Sequence, residues 1–300
     1  MIPHQTIDAL HTFLIIDAPP LVAASLCALS CALVGNFLLL QKRALLTDAV
    51  SHSVLPGIVL AFLIIGTIHP IGMTVGAWLA AWLTITTINL LKRLTPMDTH
   101  TLIGIVLTTM FATGVVLLER THLDNVHLDI QHALFGNLSA IIAPDGRVPP
   151  TILFLGASLL CAALFIVIVY KELVLITFDD VYARTIRYDV PLLSVGWTAV
   201  LSLVLVAGFQ AVGAILILSL VISPVAAAHL YARRLPQQIG LSLVFALAAV
   251  FVGYGASLIS GINSAALIAI SAGLIQIYAM FNAKQHSRAR YAGKPPSRLP

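Results

Sequence analysis

Apolar runs long enough to cross a lipid bilayer recur from residue 20 to residue 282, with only short polar connectors between most of them. A hydrocarbon core about 30 Å thick takes roughly 20 residues of helix. Lipid offers no partner for an unpaired backbone amide, so each such run must satisfy its own hydrogen bonds as a helix. The runs predict nine spans, at 20–41, 45–69, 72–91, 101–119, 150–170, 191–209, 212–231, 239–259 and 264–282. The expected fold is therefore all-α, a polytopic helical membrane protein. Composition agrees: 9% of residues are charged and mean hydropathy is +1.01, where a soluble chain carries roughly 25% charged residues.

The spans divide the chain into an extracytoplasmic or interfacial N-terminal segment (1–19), a transmembrane region (20–282) and a basic tail (283–300). Ile7, Leu10, Leu14 and, more loosely, Leu21 suggest a helix lying on the membrane surface, with a disordered terminus as the alternative. Basic residues set the orientation. If the first span runs inward, Lys42, Arg43, Lys92, Arg93, Lys171, Arg184, Arg187, Arg233, Arg234 and the tail's five lie on one side. Only Arg120 and Arg147 lie on the other. The positive-inside rule then places the N-terminus outside and the C-terminus in the cytoplasm. The tail itself suits contact with anionic lipid head groups.

Chemistry concentrates in "LLTDAVSHSVLPGIVLAFLI", residues 45–64. Asp48 and His52 stand four residues apart, on one face of a helix. An acid inside a span costs roughly 2.5–3.5 kcal/mol and usually faces a cavity or a partner. One carboxylate oxygen and one imidazole nitrogen aimed at the same point suit Mn²⁺, Fe²⁺ or Zn²⁺; a structural hydrogen bond is the plainer reading. Pro56 removes a backbone hydrogen bond and Gly57 loosens the next turn, so a helix break beside a water-filled path is expected there. Cys27 and Cys31 also sit at i, i+4, ligand-like spacing for a soft metal, but read as small lipid- or helix-facing residues. The outer connector carries His122, Asp124, His127, Asp129 and His132; their spacing keeps them off a single helix face. His229, near an inner end, reads as a snorkelling side chain. The inner stretch 171–191 is amphipathic, and Asp179 or Asp180 could cap a short helix through Val181, Tyr182 and Ile186. Neither a P-loop nor a metalloprotease or nucleophile-elbow motif is present, so the chain is not expected to be an enzyme.

Five stretches carry a resemblance: "RALLTDAVSHSVLPGIVLAFL" (43–63), "DTHTLIGIVLTTMFATGVVLL" (98–118), "LDIQHALFGNLSAI" (128–141), "LVLITFDDVYA" (173–183) and "QAVGAILILSLVISPVAAAHL" (210–230). In this order they resemble the membrane permease subunit of bacterial manganese, zinc and iron(II) ABC importers, the metal-type ABC-3 permeases. The resemblance implies a type II ABC importer permease fold, in the bacterial plasma membrane. It implies a second copy of the chain, separate ABC-type ATPase subunits that bind ATP, and an extracytoplasmic metal-binding protein. No resident cofactor is implied; the divalent metal is cargo. Asp48 and His52 match the family's polar pair and take a metal-path role. Residues 177–190 match the segment that docks on the ATPase, which gives Phe178, Asp179, Asp180, Tyr182, Ala183 and Arg187 a coupling role. Here Arg187 stands where a glycine is expected and Asp180 where a proline is common. The expected function is the permease of an ATP-driven importer of manganese, zinc or iron, with Mn²⁺ favoured. The alternatives are a metal-chelate or vitamin ABC permease and a self-sufficient secondary metal transporter.

Overall fold

The computed structural model describes residues 17–67, 69–120, 138, 141, 148–178 and 190–292. Residues 1–16, most of the outer connector with its His and Asp residues, the stretch 179–189 and residues 293–300 of the basic tail lie outside the described residues.

Ten helices follow one another among the described residues: α1 (Ala18–Leu40), α2 (Leu46–Ile65), α3 (Pro70–Leu94), α4 (Thr99–Arg120), α5 (Pro150–Ile168), α6 (Tyr170–Phe178), α7 (Val190–Val212), α8 (Ala214–Tyr231), α9 (Leu235–Ser260) and α10 (Ser264–Ala292). All but the short α6 are long and apolar enough to cross a membrane, nine in total, the number the sequence predicts. Their ends are set locally. Gly66, at φ +73°, caps α2 and ends it four residues before the expected edge at 69. Only glycine takes that left-handed geometry without strain. At the other extreme α10 continues to Ala292, past the expected edge at 282. The helix α6 was not anticipated; a single residue, Val169, separates it from α5.

α1 is the pillar of the bundle. Its face of Ala23, Ala24, Cys27, Ala28, Cys31 and Ala32 is fully buried, and these small side chains let neighbouring helices come close. A Cβ on Gly35 would fall 2.3 Å from the Val221 carbonyl oxygen, so α1 and α8 cross backbone to backbone. α9 and α10 repeat the device at Gly253, where a Cβ would lie 2.4 Å from Ile268 Cα. Polar ties cross this core as well: Asn36 donates from Nδ2 to Ser242 Oγ on α9, at 2.8 Å, and Ser271 of α10 donates from Oγ to the Ala249 carbonyl of α9, at 2.6 Å. α2, α3 and α4 pack against one another, α8, α9 and α10 do the same, and α7 lies between them against α1, α3 and α5. The Cys27 and Cys31 sulfurs, 3.9 Å apart, belong to this packed interior.

Candidate functional site

α2 carries the site. Asp48 lies in its first turn and His52 in the second, and the 3.6-residue period stacks them on one face. The His52 Nε2 to Asp48 Oδ1 separation is 3.7 Å. That exceeds a hydrogen bond, and is close to the roughly 3.4 Å between two ligand atoms around a tetrahedral ion with bonds near 2.1 Å. His52 is 31% exposed and Asp48 45%, so both donor atoms reach the surface of the bundle. Ser51 turns its hydroxyl back onto the Asp48 carbonyl at 2.6 Å and does not join the pair. Phe111 of α4 meets the imidazole edge to face, with ring centroids 5.2 Å apart.

The position of Asp48 changes the energetic argument made from sequence. A carboxylate in the first turn of a helix faces the unpaired amides and the positive end of the helix dipole. The cost anticipated for an acid in mid-span therefore does not apply in full. What still needs explaining is the pairing with His52 on an exposed face.

The break expected at Pro56 and Gly57 is absent: α2 runs as helix from Leu46 to Ile65 with Pro56 inside it. The two residues are buried instead, and each admits a neighbouring helix. A Cβ on Gly57 would lie 2.5 Å from the Gly76 carbonyl oxygen, and one on Gly76 would lie 2.6 Å from that of Gly57. On the α4 side, a Cβ on Gly114 would come within 2.8 Å of Pro56 Cδ. Pro56 withholds the amide that would bond the His52 carbonyl, and its ring packs directly against Gly114 of α4. α2 is thus clamped between α3 and α4 one turn beyond His52, and the clamp fixes the face on which the pair sits.

Among the described residues, no group of three His, Cys, Asp or Glu side chains converges. Asp48 and His52 are two donors, fewer than the four of a closed structural site. His229 pairs through Nδ1 with Gln238 at 3.0 Å and takes no part. Of the expected coupling residues, Phe178 ends α6 and is 64% exposed; Asp179, Asp180, Tyr182, Ala183 and Arg187 lie outside the described residues. Phe111 and the Gly57–Gly76 contact went unnoticed in the sequence, where each is one more residue of an apolar span.

Nine spans among the described residues, one of them the small-residue pillar α1, with a polar pair on one exposed face, define a polytopic helical membrane protein. The model of the ABC 3 transport family matches residues 15–283, and the chain belongs to that family. It is 37% identical over 235 residues to the manganese transport system membrane protein MntD of Bacillus subtilis, covering 76% of this chain and 79% of that one. It is 33% identical over 233 residues to the chelated iron transport system membrane protein YfeD of Yersinia pestis, covering 78% and 74%. In structure it is similar to PsaBC from Streptococcus pneumoniae, solved in complex with Fab, with a TM-score of 0.72 at 28% identity over 87% of this chain and 90% of that one.

Proposed function

We infer that this chain is the membrane permease subunit of an ATP-driven importer of divalent transition metal ions. Residues 20–282 form the translocation domain, and the basic tail 283–300 lies on the cytoplasmic side. The observation that carries the reading is the Asp48–His52 pair, an oxygen and a nitrogen donor 3.7 Å apart on an exposed face of a family permease. The relative named for manganese agrees with that donor set, which accepts Mn²⁺, Fe²⁺ and Zn²⁺ alike.

Two donors on an exposed face are a half-site. A second copy related by a two-fold axis would contribute the same two, giving four oxygen and nitrogen ligands around one path. Two donors per subunit also suit an ion in transit, which must leave as readily as it binds. With the C-terminus inside, α2 starts at the cytoplasmic face, and the pair stands near the inner end of the path. ATP is bound and hydrolysed on a separate chain, which docks around Phe178 and the segment through Arg187. An extracytoplasmic metal-binding protein loads the outer mouth.

Uptake of radiolabelled Mn²⁺ and Zn²⁺ tests the reading, in cells carrying wild type or the Asp48→Asn/His52→Ala double variant, with and without the partner ATPase. Uptake should require the ATPase and fall at least about tenfold in the variant at equal membrane levels. ATPase-independent uptake would assign a secondary transporter. Unchanged uptake in the variant would return the pair to a structural role, as expected if the cargo were a bulky chelate.

A further inference from the structure

Four buried side-chain atoms have no hydrogen-bond partner among the described residues: Asn36 Oδ1, Thr47 Oγ1, Trp82 Nε1 and Gln238 Nε2. A native interior leaves few such groups, and each calls for a partner that the chain does not supply. Two of the four meet at one junction. Asn36 is fully buried on α1, and Gln238 on α9 is only 4% exposed. Gln238 stands one helical turn before Ser242, on the same face of α9, and the Asn36 head lies against Ser242. Side chains one turn apart are set about 5–6 Å from each other, so the two amide heads are neighbours along α9.

The hydrogen bonds around them fix the direction of each group. Asn36 Nδ2 donates its two hydrogens to the Ala32 carbonyl at 2.6 Å and to Ser242 Oγ at 2.8 Å. Ser242 gives its own proton to the Ile239 carbonyl at 2.8 Å. Asn36 Oδ1 is thus an acceptor that Ser242 cannot answer, while Ser242 Oγ keeps one lone pair. Gln238 Oε1 pairs with His229 Nδ1 of α8 at 3.0 Å, and its Nε2 hydrogens are left over. Donor and acceptor are complementary and do not reach one another.

We propose that a single buried water molecule occupies this junction of α1, α8 and α9, accepting from Gln238 Nε2 and donating to Asn36 Oδ1 and to the free lone pair of Ser242 Oγ. Three partners are the usual number for a buried water. Two hydrogen bonds of about 2.8 Å span the roughly 5–6 Å between side chains one turn apart. A cation would meet the hydrogens of Gln238, and an anion would meet the oxygen of Asn36, so a neutral molecule with both donor and acceptor is required. Turned over, the Gln238 amide would donate to His229 and face its oxygen inward. Water carries two hydrogens and can serve two inward oxygens, whereas a direct amide pair cannot. With the water in place, the polar chain runs unbroken from His229 on α8 through Gln238 on α9 to Asn36 on α1. It lies beside Gly35, where α1 and α8 cross.

A cryo-EM map of the full transporter complex in lipid nanodiscs, at a resolution that shows ordered water, tests the site directly. The expected result is a density peak within about 2.7–3.2 Å of both Gln238 Nε2 and Asn36 Oδ1. Amide heads bonded directly to each other, or a close-packed junction with no peak, would overturn the proposal. The bridge also couples the two side chains. Asn36→Leu or Gln238→Leu alone strands the remaining amide, and the double variant strands neither. In denaturant unfolding, the double variant should lose less than the product of the two single losses, by at least about 2-fold, the lower end of coupling within one network. Losses that simply multiply would count against the bridge. Ser271→Ala removes a hydroxyl bonded to the Ala249 carbonyl, two turns further along α9, and its loss should multiply with that of Asn36→Leu. Equal coupling to Ser271→Ala would mean general loosening of the bundle and no bridge. The map decides even where a variant fails to fold.

Discussion

Phe111 holds the His52 ring edge to face, 5.2 Å between centroids, and is the link between α4 and the polar pair on α2. An aromatic contact of this kind is worth about 0.5–1.5 kcal/mol, enough to favour one imidazole orientation over another. Under the proposed function, Phe111→Ala should lower metal uptake about 2- to 12-fold, while Phe111→Tyr, which keeps the ring, should stay near wild type. Initial rates over a range of Mn²⁺ concentrations measure this. A normal rate in Phe111→Ala would mean that the ring only fills space.

Gly57 and Gly76 admit each other's backbones where α2 meets α3. Gly57→Ala places a methyl 2.5 Å from a carbonyl oxygen, a clash the main chain must move to relieve. Overpacking of this sort costs about 1–3 kcal/mol. Gly104→Ala on α4 meets nothing within 4 Å, and should leave stability unchanged or slightly raised because alanine favours helix. Thermal unfolding of the two variants in detergent should separate them, with Gly57→Ala melting earlier.

Asn36 is fully buried on α1, and its Nδ2 group reaches Ser242 on α9 and the Ala32 carbonyl. Hydrogen bonds between helices in membranes average about 0.6 kcal/mol, with a maximum near 1.7. Asn36→Ala also leaves a cavity in tight packing, so a loss of about 1–2 kcal/mol is expected. Denaturant titration followed by tryptophan fluorescence would measure it. Ser242→Ala alone should cost less, because Asn36 keeps its bond to Ala32.

Phe178 stands exposed at the end of α6. If the neighbouring segment docks on an ATPase, Phe178→Asp should weaken the complex and leave the permease folded. The expected result is less ATPase co-purified with a tagged permease, alongside a normal melting temperature. An intact complex with normal uptake would move the contact elsewhere.

The spans were legible because membrane thickness imposes a length, and length is a one-dimensional signal that a hydropathy run carries by itself. Their edges were less so. The end of α2 depends on the left-handed turn at Gly66, and α6 is a continuation past Val169 that the apolar run conceals. Asp48 and His52 were legible as a pair, since i and i+4 share a face whatever surrounds them. The setting of Asp48 in a first turn was not, because a hydropathy run marks the length of a span without marking which of its residues face the unpaired amides at the helix start. Pro56 and Gly57 show the deeper limit. Their local chemistry favours a break, and packing against Gly76 and Gly114 overrides it. No property of residues 56 and 57 alone announces which helices will press against them.

Between α7 and α8 there is a single residue, Gly213, at φ 86°. A longer loop would absorb a shift of one helix by uncoiling or bending. One residue has no slack to take up. α7 begins directly after the stretch 179–189 and lies against α3 and α5, while α8 packs with α9 and α10. A displacement of the end of α7 therefore carries the start of α8 with it, while a change of angle between the two helices turns about the permissive backbone of Gly213, so the connection is a short pivot rather than a slack tether.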